Sequence, residues 1–435
     1  MINAADYSAW SNSKKVYINT KRLCADVNGN VLNFPLLIRL HAGNFDFSEA
    51  DSNGSDMRFN KSDGVTTLNY EIARWNQDSS LAEIWVKVDT VLGNNSSQYV
   101  IMYWGKSDAT SESDGAAVFE TSNKFAGVWH LEEEGDTIPD GFKDETTNAF
   151  HAKGVGLDSN TDVEAVIGKG QQFAADYLEL PDVITQPGWT FSAWVKKDAA
   201  TVDAIYGFGP KTGTNPSVTV LYTSATGNLP IISVSGGGTA TAVTAISPGT
   251  WFHITATQDP DYNYRLFVNG VAEAGPVDVR GAMTLAEGNE TIGANWASGA
   301  IANYFNGIID EPRISTSARS FDWIKLSYAT QRPDQRAVSF GDVLGDWQYN
   351  RDMTLNTTSS GADITSDLYS FPVLVRLTSE NFSFSEAKTN GEDIRFTKSD
   401  GTFLFHEIER WDNSVSRAEI WVKVDTVFGD NNSQL

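Results

Sequence analysis

The chain has 435 residues, with 32 Lys or Arg against 56 Asp or Glu, a formal net charge of −24 and a pI near 4.5. A field of that sign repels polyphosphates and anionic lipid, which argues against nucleic acid and acidic membrane surfaces as partners. Cys24 is the one cysteine, so no intrachain disulfide can form, and no stretch approaches the roughly 18 apolar residues of a membrane-spanning helix.

From the N-terminus, the runs Val16 to Ile18, Leu36 to Leu40, Met57 to Phe59, Tyr70 to Trp75, Ala82 to Val88 and Tyr99 to Trp104 are short and often alternate. Asn28-Gly29, Asn53-Gly54, Asp63-Gly64 and Gly93-Asn94 punctuate them as turns, which predicts a two-sheet sandwich. Alternation places Ile84, Val86 and Val88 on one face of a strand and Glu83, Trp85 and Lys87 on the other. Cross-strand ion pairs on a solvated sheet face account for that polar side. A partner-binding face, for the next module, is the sharper reading.

Between Phe125 and Gly341 the vocabulary changes. Gly127 to Leu131, Tyr177 to Leu180, Thr190 to Val195, Trp251 to Thr257, Tyr264 to Val268 and Phe305 to Ile314 are among ten strand-like runs, and Asn269-Gly270 closes a hairpin. So many antiparallel strands predict a jelly roll. The best helical candidate is one short stretch, Ser320 to Thr330.

The last ninety residues repeat the first. Trp10 through Gln98 returns as Trp347 through Gln434, and Ala82 to Thr90 returns unchanged as Ala418 to Thr426. Self-similarity over a domain length means tandem modules. The expected architecture is all-β, with a jelly-roll sandwich at 120–341 between two smaller β-sandwich repeats at 1–112 and 345–435. Leu435 falls where the first copy enters its Tyr99 to Trp104 strand, so the second copy is expected to lack its last strand and the chain to be a piece of a longer protein.

The centre resembles a concanavalin A-like lectin/glucanase domain of the laminin G and pentraxin type. Gly127-Val-Trp-His-Leu-Glu, Phe191-Ser-Ala-Trp-Val, Arg265-Leu-Phe-Val-Asn-Gly and Phe305-Asn-Gly-Ile-Ile-Asp-Glu-Pro-Arg-Ile-Ser carry the resemblance, in the family's order. The flanking copies resemble an uncharacterised bacterial domain, through Phe-Pro-x-Leu-x-Arg-Leu, Asp-x-Arg-Phe and Ala-Glu-Ile-Trp-Val-Lys-Val. That domain occurs beside laminin G-like domains in surface proteins and in fusions to MotA/TolQ/ExbB-type proton channels. The resemblance implies a structural Ca²⁺ held by Asp144, Asn148 and Asp310, hard oxygen donors suited to that ion.

Catalysis finds little purchase. Glucanases of this fold are similar in carrying alternating carboxylates on one strand, whereas here the nearest string is Ile309-Asp310-Glu311-Pro312, whose adjacent acids point to opposite faces. His130 and His253 lie beside Trp and Phe and read as packed. Asp51 to Asp56 looks like the start of a calcium loop, but its copy begins with Lys388, so it reads as a turn.

Sugar rings stack on exposed aromatic faces. Trp296 in its Gly/Ala/Ser loop, Tyr262 and Tyr264 beside the Asp259-Pro260-Asp261 turn, and Trp189 after Pro187-Gly188 are the candidate ligand contacts. These features predict a non-catalytic extracellular, cell-surface or periplasmic protein that binds glycan or another surface ligand, as an adhesin does. A ligand-free stalk, or the substrate-targeting part of a larger hydrolase or proton-channel-type protein, is the alternative.

Overall fold

The computed structural model describes residues 7–22, 24–134, 141–208, 219–224, 227–234, 238–278, 289–297, 299–341, 349, 351–398 and 404–432. They divide into two compact units, Met1–Val338 and Ser339–Leu435. The all-β expectation holds for both.

The first repeat is a sandwich of two antiparallel sheets. Its strands are β1 (Asn12–Ile18), β2 (Val31–His41), β3 (Arg58–Lys61), β4 (Tyr70–Asn76), β5 (Leu81–Val91) and β6 (Gln98–Trp104). One sheet runs β1–β6–β3 and is extended at its β1 edge by chain arriving from Ala337, whose carbonyl accepts from the Asn19 N–H at 2.7 Å. The other runs β2–β5–β4, with Ile38 opposite Ile84 and Leu37 opposite Trp85. Period-two alternation therefore sends Leu36, Ile38, Ile84 and Val86 into the repeat's own core. The opposite face, with Leu37 and Trp85, is buried as well.

The centre is a jelly roll of two facing sheets. In spatial order the first holds Val271–Asp278, Asn263–Val268, Trp251–Gln258, Trp189–Lys197, Gly307–Ser315, Lys169–Phe173 and Asp162–Glu164, with Phe125–Val128 also paired to Gly307–Ser315. The second holds Thr239–Thr241, Pro230–Val234, Thr219–Thr223, Asp203–Phe208, Glu290–Ile292, Tyr177–Leu180 and Lys153–Val155. Their inner faces meet in one apolar cluster that includes Trp129, Phe173, Phe191, Tyr206 and Ile309. Phe191 and Tyr206 stack across it at 4.3 Å.

That core also buries a carboxyl. Glu290 accepts from the Val183 and Ile184 N–H groups and from the Tyr206 hydroxyl, and burial pushes its pKa up to about 7 despite them. An acid whose folded pKa is raised adds stability that is complete below its unfolded pKa and lost as pH rises through the folded one. Urea unfolding should show stability falling between about pH 4.5 and about pH 7, and Glu290→Gln should flatten that fall.

The expected helix forms over Phe321–Gln331, capped by the Ser320 hydroxyl accepting from the Trp323 N–H. It straps the centre to the first repeat. Trp323 meets Phe34 edge-to-face at 5.2 Å, Lys325 pairs with Asp26 at 2.7 Å, and Asp322 accepts from the Gly29 N–H at 2.7 Å. A second apolar cluster draws on both parts, joining Leu37 and Trp85 to Phe119, Phe125, Val128, Ile167 and Trp194. Separate modules were expected, and the jelly roll does keep a core of its own, but the first repeat packs against it through this shared apolar junction.

Among the described residues of the second unit, Leu368–Thr378, Arg417–Val427 and His406–Asp412 form one three-stranded sheet in that order. Its registers copy those of β2–β5–β4, down to the irregularity between Ile408 and Arg410 that mirrors the one between Ile72 and Arg74. Its apolar cluster includes Val375, Phe384, Ile420 and Val422.

Candidate functional sites

The four candidate aromatics part company. Trp189 and Tyr264 are each 1 % exposed and pack edge-to-face at 5.6 Å in the jelly-roll core, so neither offers a ring face to a ligand. Alternation explains this, since both fall on the inward side of their strands. Tyr262, in the left-handed region at φ 64°, is half-buried and lies against the same core as a lid. Trp296 is half-buried too, but it sits on a small hairpin of Asn295–Ala297 and Ala300–Ala302 outside the apolar cluster. Asn303 Nδ2 donates to Asn295 Oδ1 at 2.8 Å, and Asn295 Nδ2 donates to the Trp296 carbonyl at 3.0 Å, which places two amides at the hairpin's base. Tyr262 and Trp296 belong to different sheets, so a rim made of all four aromatics does not form.

The three calcium candidates are occupied with other work. Asp144 is buried, with one carboxylate oxygen accepting from the Val128 and Thr146 N–H groups and the other from the Thr146 hydroxyl and the Phe150 N–H. Asn148 Nδ2 donates to the Ala126 carbonyl. Asp310 Oδ2 accepts from the Val166 and Ile167 N–H groups, and burial raises its pKa well above the usual carboxylate range. Asp144, with both oxygens taken by N–H and O–H donors, has little left to offer a cation, so we expect no calcium shell on these three residues. Millimolar Ca²⁺ should leave the melting temperature unchanged; a clear rise would overturn this reading.

The chain does assemble a polar site, where the outer face of β2–β5–β4 meets the jelly roll. His130 lies between two carboxylates, with Nε2 3.1 Å from Glu71 Oε2 and Nδ1 2.5 Å from Glu311 Oε1. Burial pulls its pKa down, but the charges and hydrogen bonds of Glu311 and Glu71 outweigh it and hold the imidazole well above its ordinary value. Burial likewise raises Glu311, and the adjacent His130 and Arg313 outweigh it, leaving that carboxyl lowered. Glu71, His130 and Glu145 bring ligand atoms within 4.8 Å of one another, the one such group among the described residues. Their charges are already met, since Lys143 reaches Glu145 at 2.6 Å.

Around this centre the repeat grips the jelly roll through its own ladder. Arg39 pairs with Glu83 at 3.2 Å and donates to the carbonyls of Val166, Gln331 and Arg332. Glu83 accepts from the Gly168 N–H at 2.5 Å, a backbone approach made at φ 57°, where glycine fits without strain. Lys87 pairs with Glu120 at 2.7 Å and Arg74 with Glu164 at 3.0 Å. Trp85 lies under the Arg313 guanidinium at 4.1 Å, edge-on to Phe119. A small cavity of about 20 Å³ beside Pro35, His253, Arg313 and Trp323 has room for about one water.

The alternation of β5 made this face visible in the sequence, and the partner-face reading is the one the contacts favour over a solvated sheet. Its far side was not visible. Adjacent acids on one strand were expected to point apart, yet Glu311 sits in the left-handed region at φ 52° beside a register shift at Ser192 and Trp194. That irregularity breaks the alternation, so Asp310 reaches the Val166 and Ile167 N–H groups while Glu311 reaches His130. His130, read as packed, is instead an ion bridge. The non-glycine at positive φ was the missing signal, and sequence does not display it.

Residues 170–325 match the Concanavalin A-like lectin/glucanases superfamily, and residues 53–132 and 390–435 match the Domain of unknown function (DUF2341). No curated protein matches the chain. Among solved structures, domain 4 of AbnA, a GH43 extracellular arabinanase from Geobacillus stearothermophilus, in complex with arabinotriose, is 21 % identical. The alignment covers 46 % of this chain and 97 % of that one, at a TM-score of 0.38. The Ruminococcus gnavus IT-sialidase CBM40 bound to alpha2,3 sialyllactose is 16 % identical over 33 % and 83 %, at 0.30. A heptameric SAP-like pentraxin from Limulus polyphemus is 14 % identical over 37 % and 83 %, at 0.28.

Proposed function

Taking the centre as a concanavalin A-like lectin/glucanase domain held between two copies of a domain of unknown function, we propose that this chain is a non-catalytic binding protein for carbohydrate, displayed outside the cytoplasm. The observation that carries the reading is the Trp296 hairpin. It sets a half-buried indole outside the apolar cluster with the exposed Asn303 amide at its base, a pairing suited to stacking on a pyranose and hydrogen-bonding a hydroxyl. Tyr262 packs against the jelly-roll core away from this hairpin. A non-catalytic role is supported by where the acids went. The nearest approach to a glucanase carboxylate pair, Asp310 and Glu311, is buried at the junction and bound by backbone N–H groups, His130 and Arg313. No described helix is long and apolar enough to cross a membrane.

Glycan-array binding by the whole chain tests this, followed by titration of the best ligand. Trp296→Ala should weaken that ligand about tenfold or more, the loss of roughly one base-sized stacking contact of 1–3 kcal/mol. The fold should be untouched, because the hairpin lies outside the core. A blank array would leave the spacer reading in possession. Binding that ignores Trp296 would move the site elsewhere on the jelly roll.

A further inference from the structure

The second repeat presents, uncovered, the surface that the first repeat buries. Leu374, Arg376, Glu407, Glu419, Trp421 and Lys423 stand where Leu37, Arg39, Glu71, Glu83, Trp85 and Lys87 stand in the first copy. The pairings are the same, with Arg376 opposite Glu419 and Trp421 between Leu374 and Glu407. The inner faces of the two sheets match in burial, Val375, Ile420 and Val422 being buried like Ile38, Ile84 and Val86. The outer faces do not. Trp85 is 0 % exposed and Trp421 is 37 %, and Arg376, Glu407 and Lys423 all face solvent.

We propose that this outer face is a docking surface for a second concanavalin A-like domain, of the class formed by residues 125–338. The inference stands apart from the glycan reading and rests on the first repeat's own interface. That interface states what the occupant must supply. Trp421 calls for a guanidinium in the role of Arg313, Glu407 for an imidazole in the role of His130, and Glu419 for a backbone N–H in the role of Gly168. Arg376 calls for helix-end carbonyls, as Gln331 and Arg332 provide, and Lys423 for a carboxylate like Glu120. The jelly roll of this chain is not free to serve, because its matching surface is buried against the first repeat.

The copy is not complete: Arg417 replaces Leu81 and pairs with Glu419 at 3.4 Å, and Thr378 replaces His41. Glu409 replaces Ala73 and accepts from the Trp421 indole N–H at 2.5 Å. The occupant therefore has to meet a carboxylate with a donor at a point where this chain's own jelly roll meets a methyl group. That difference would let the two repeats choose different jelly rolls.

The whole chain can report on this. Glu83→Arg with Trp85→Ala frees a jelly roll whose own core is separate from the junction. Such chains should self-associate head to tail in sedimentation velocity, through the second repeat of a neighbour, while the wild type does so at least tenfold more weakly. Adding Trp421→Ala to the same chain should reverse the association, an outcome that misfolding would not produce. Absence of self-association in a variant with wild-type circular dichroism would overturn the proposal, and so would association that survives Trp421→Ala.

Should that variant fail to fold, a second experiment decides. The wild-type chain is prolonged after Leu435 by a copy of its own residues 100–341, and Lys423→Cys is labelled with a maleimide in a Cys24→Gly background. The thiol should react at least tenfold more slowly in the prolonged chain than in the 435-residue one. Equal rates would overturn the proposal.

Discussion

Trp85→Ala is expected to destabilise the unit Met1–Val338 by about 3–5 kcal/mol, the range for deleting a fully buried Trp or Phe. The identical change at its copy, Trp421→Ala, should cost less than about 1 kcal/mol, as a partly exposed position allows. The two residues share their neighbours in sequence and their register, so intrinsic strand propensity cancels between them. What remains is the cover. Trp85 loses Arg313 above its ring, Phe119 at its edge and the apolar wall of Ile167 and Trp194, whereas Trp421 loses chiefly its contact with Glu409. Guanidinium titrations of both variants separate the cases. In Trp85→Ala the first repeat and the jelly roll should also begin to unfold in separate steps. Equal losses in the two variants would mean that the junction contributes nothing.

The second large effect centres on His130. Replacing it with alanine leaves Glu71 and Glu311 facing each other in a buried site, and removing one partner of a buried ion pair costs about 3–5 kcal/mol. The pH dependence carries its own signature. His130 has a raised folded pKa, so its stabilisation is complete below the unfolded imidazole value near 6.5 and is lost as pH rises through the folded one. Glu311 has a lowered pKa, so its share is complete above the unfolded carboxylate value and is lost as pH falls through the folded one. The gap between wild type and His130→Gln should therefore be widest below about pH 6.5 and narrow toward alkaline pH. A gap that stays constant with pH would assign His130 to packing alone.

What could be read in the sequence follows the reach of each signal. Period-two alternation spans a few residues, so it revealed strands, the two faces of β5 and the inward turn of most aromatics. The self-match spans a whole module, so it gave the repeat and the divisions of the chain. Ser320 to Thr330 was legible as the best helical candidate, and Phe321–Gln331 is the longest helix among the described residues. Alternation also bore on Trp189 and Tyr264, whose inward placement outweighed their nearness to turns. The junction escaped because its partners lie far apart in sequence. His130 meets Glu311 across 181 residues and Arg39 meets the Gln331 carbonyl across 292. Asp144 and Asp310 looked like metal ligands because type alone does not show that N–H donors have already taken both oxygens of Asp144 and one of Asp310.

Hydrogen exchange on the intact chain tests the shared junction most directly. Backbone amides of Leu81–Val91 should open only with those of Trp189–Lys197, at one free energy, while those of the matching strand Arg417–Val427 open separately at a lower one. Exchange in which both repeat strands open alike, with the jelly roll still closed, would contradict the account.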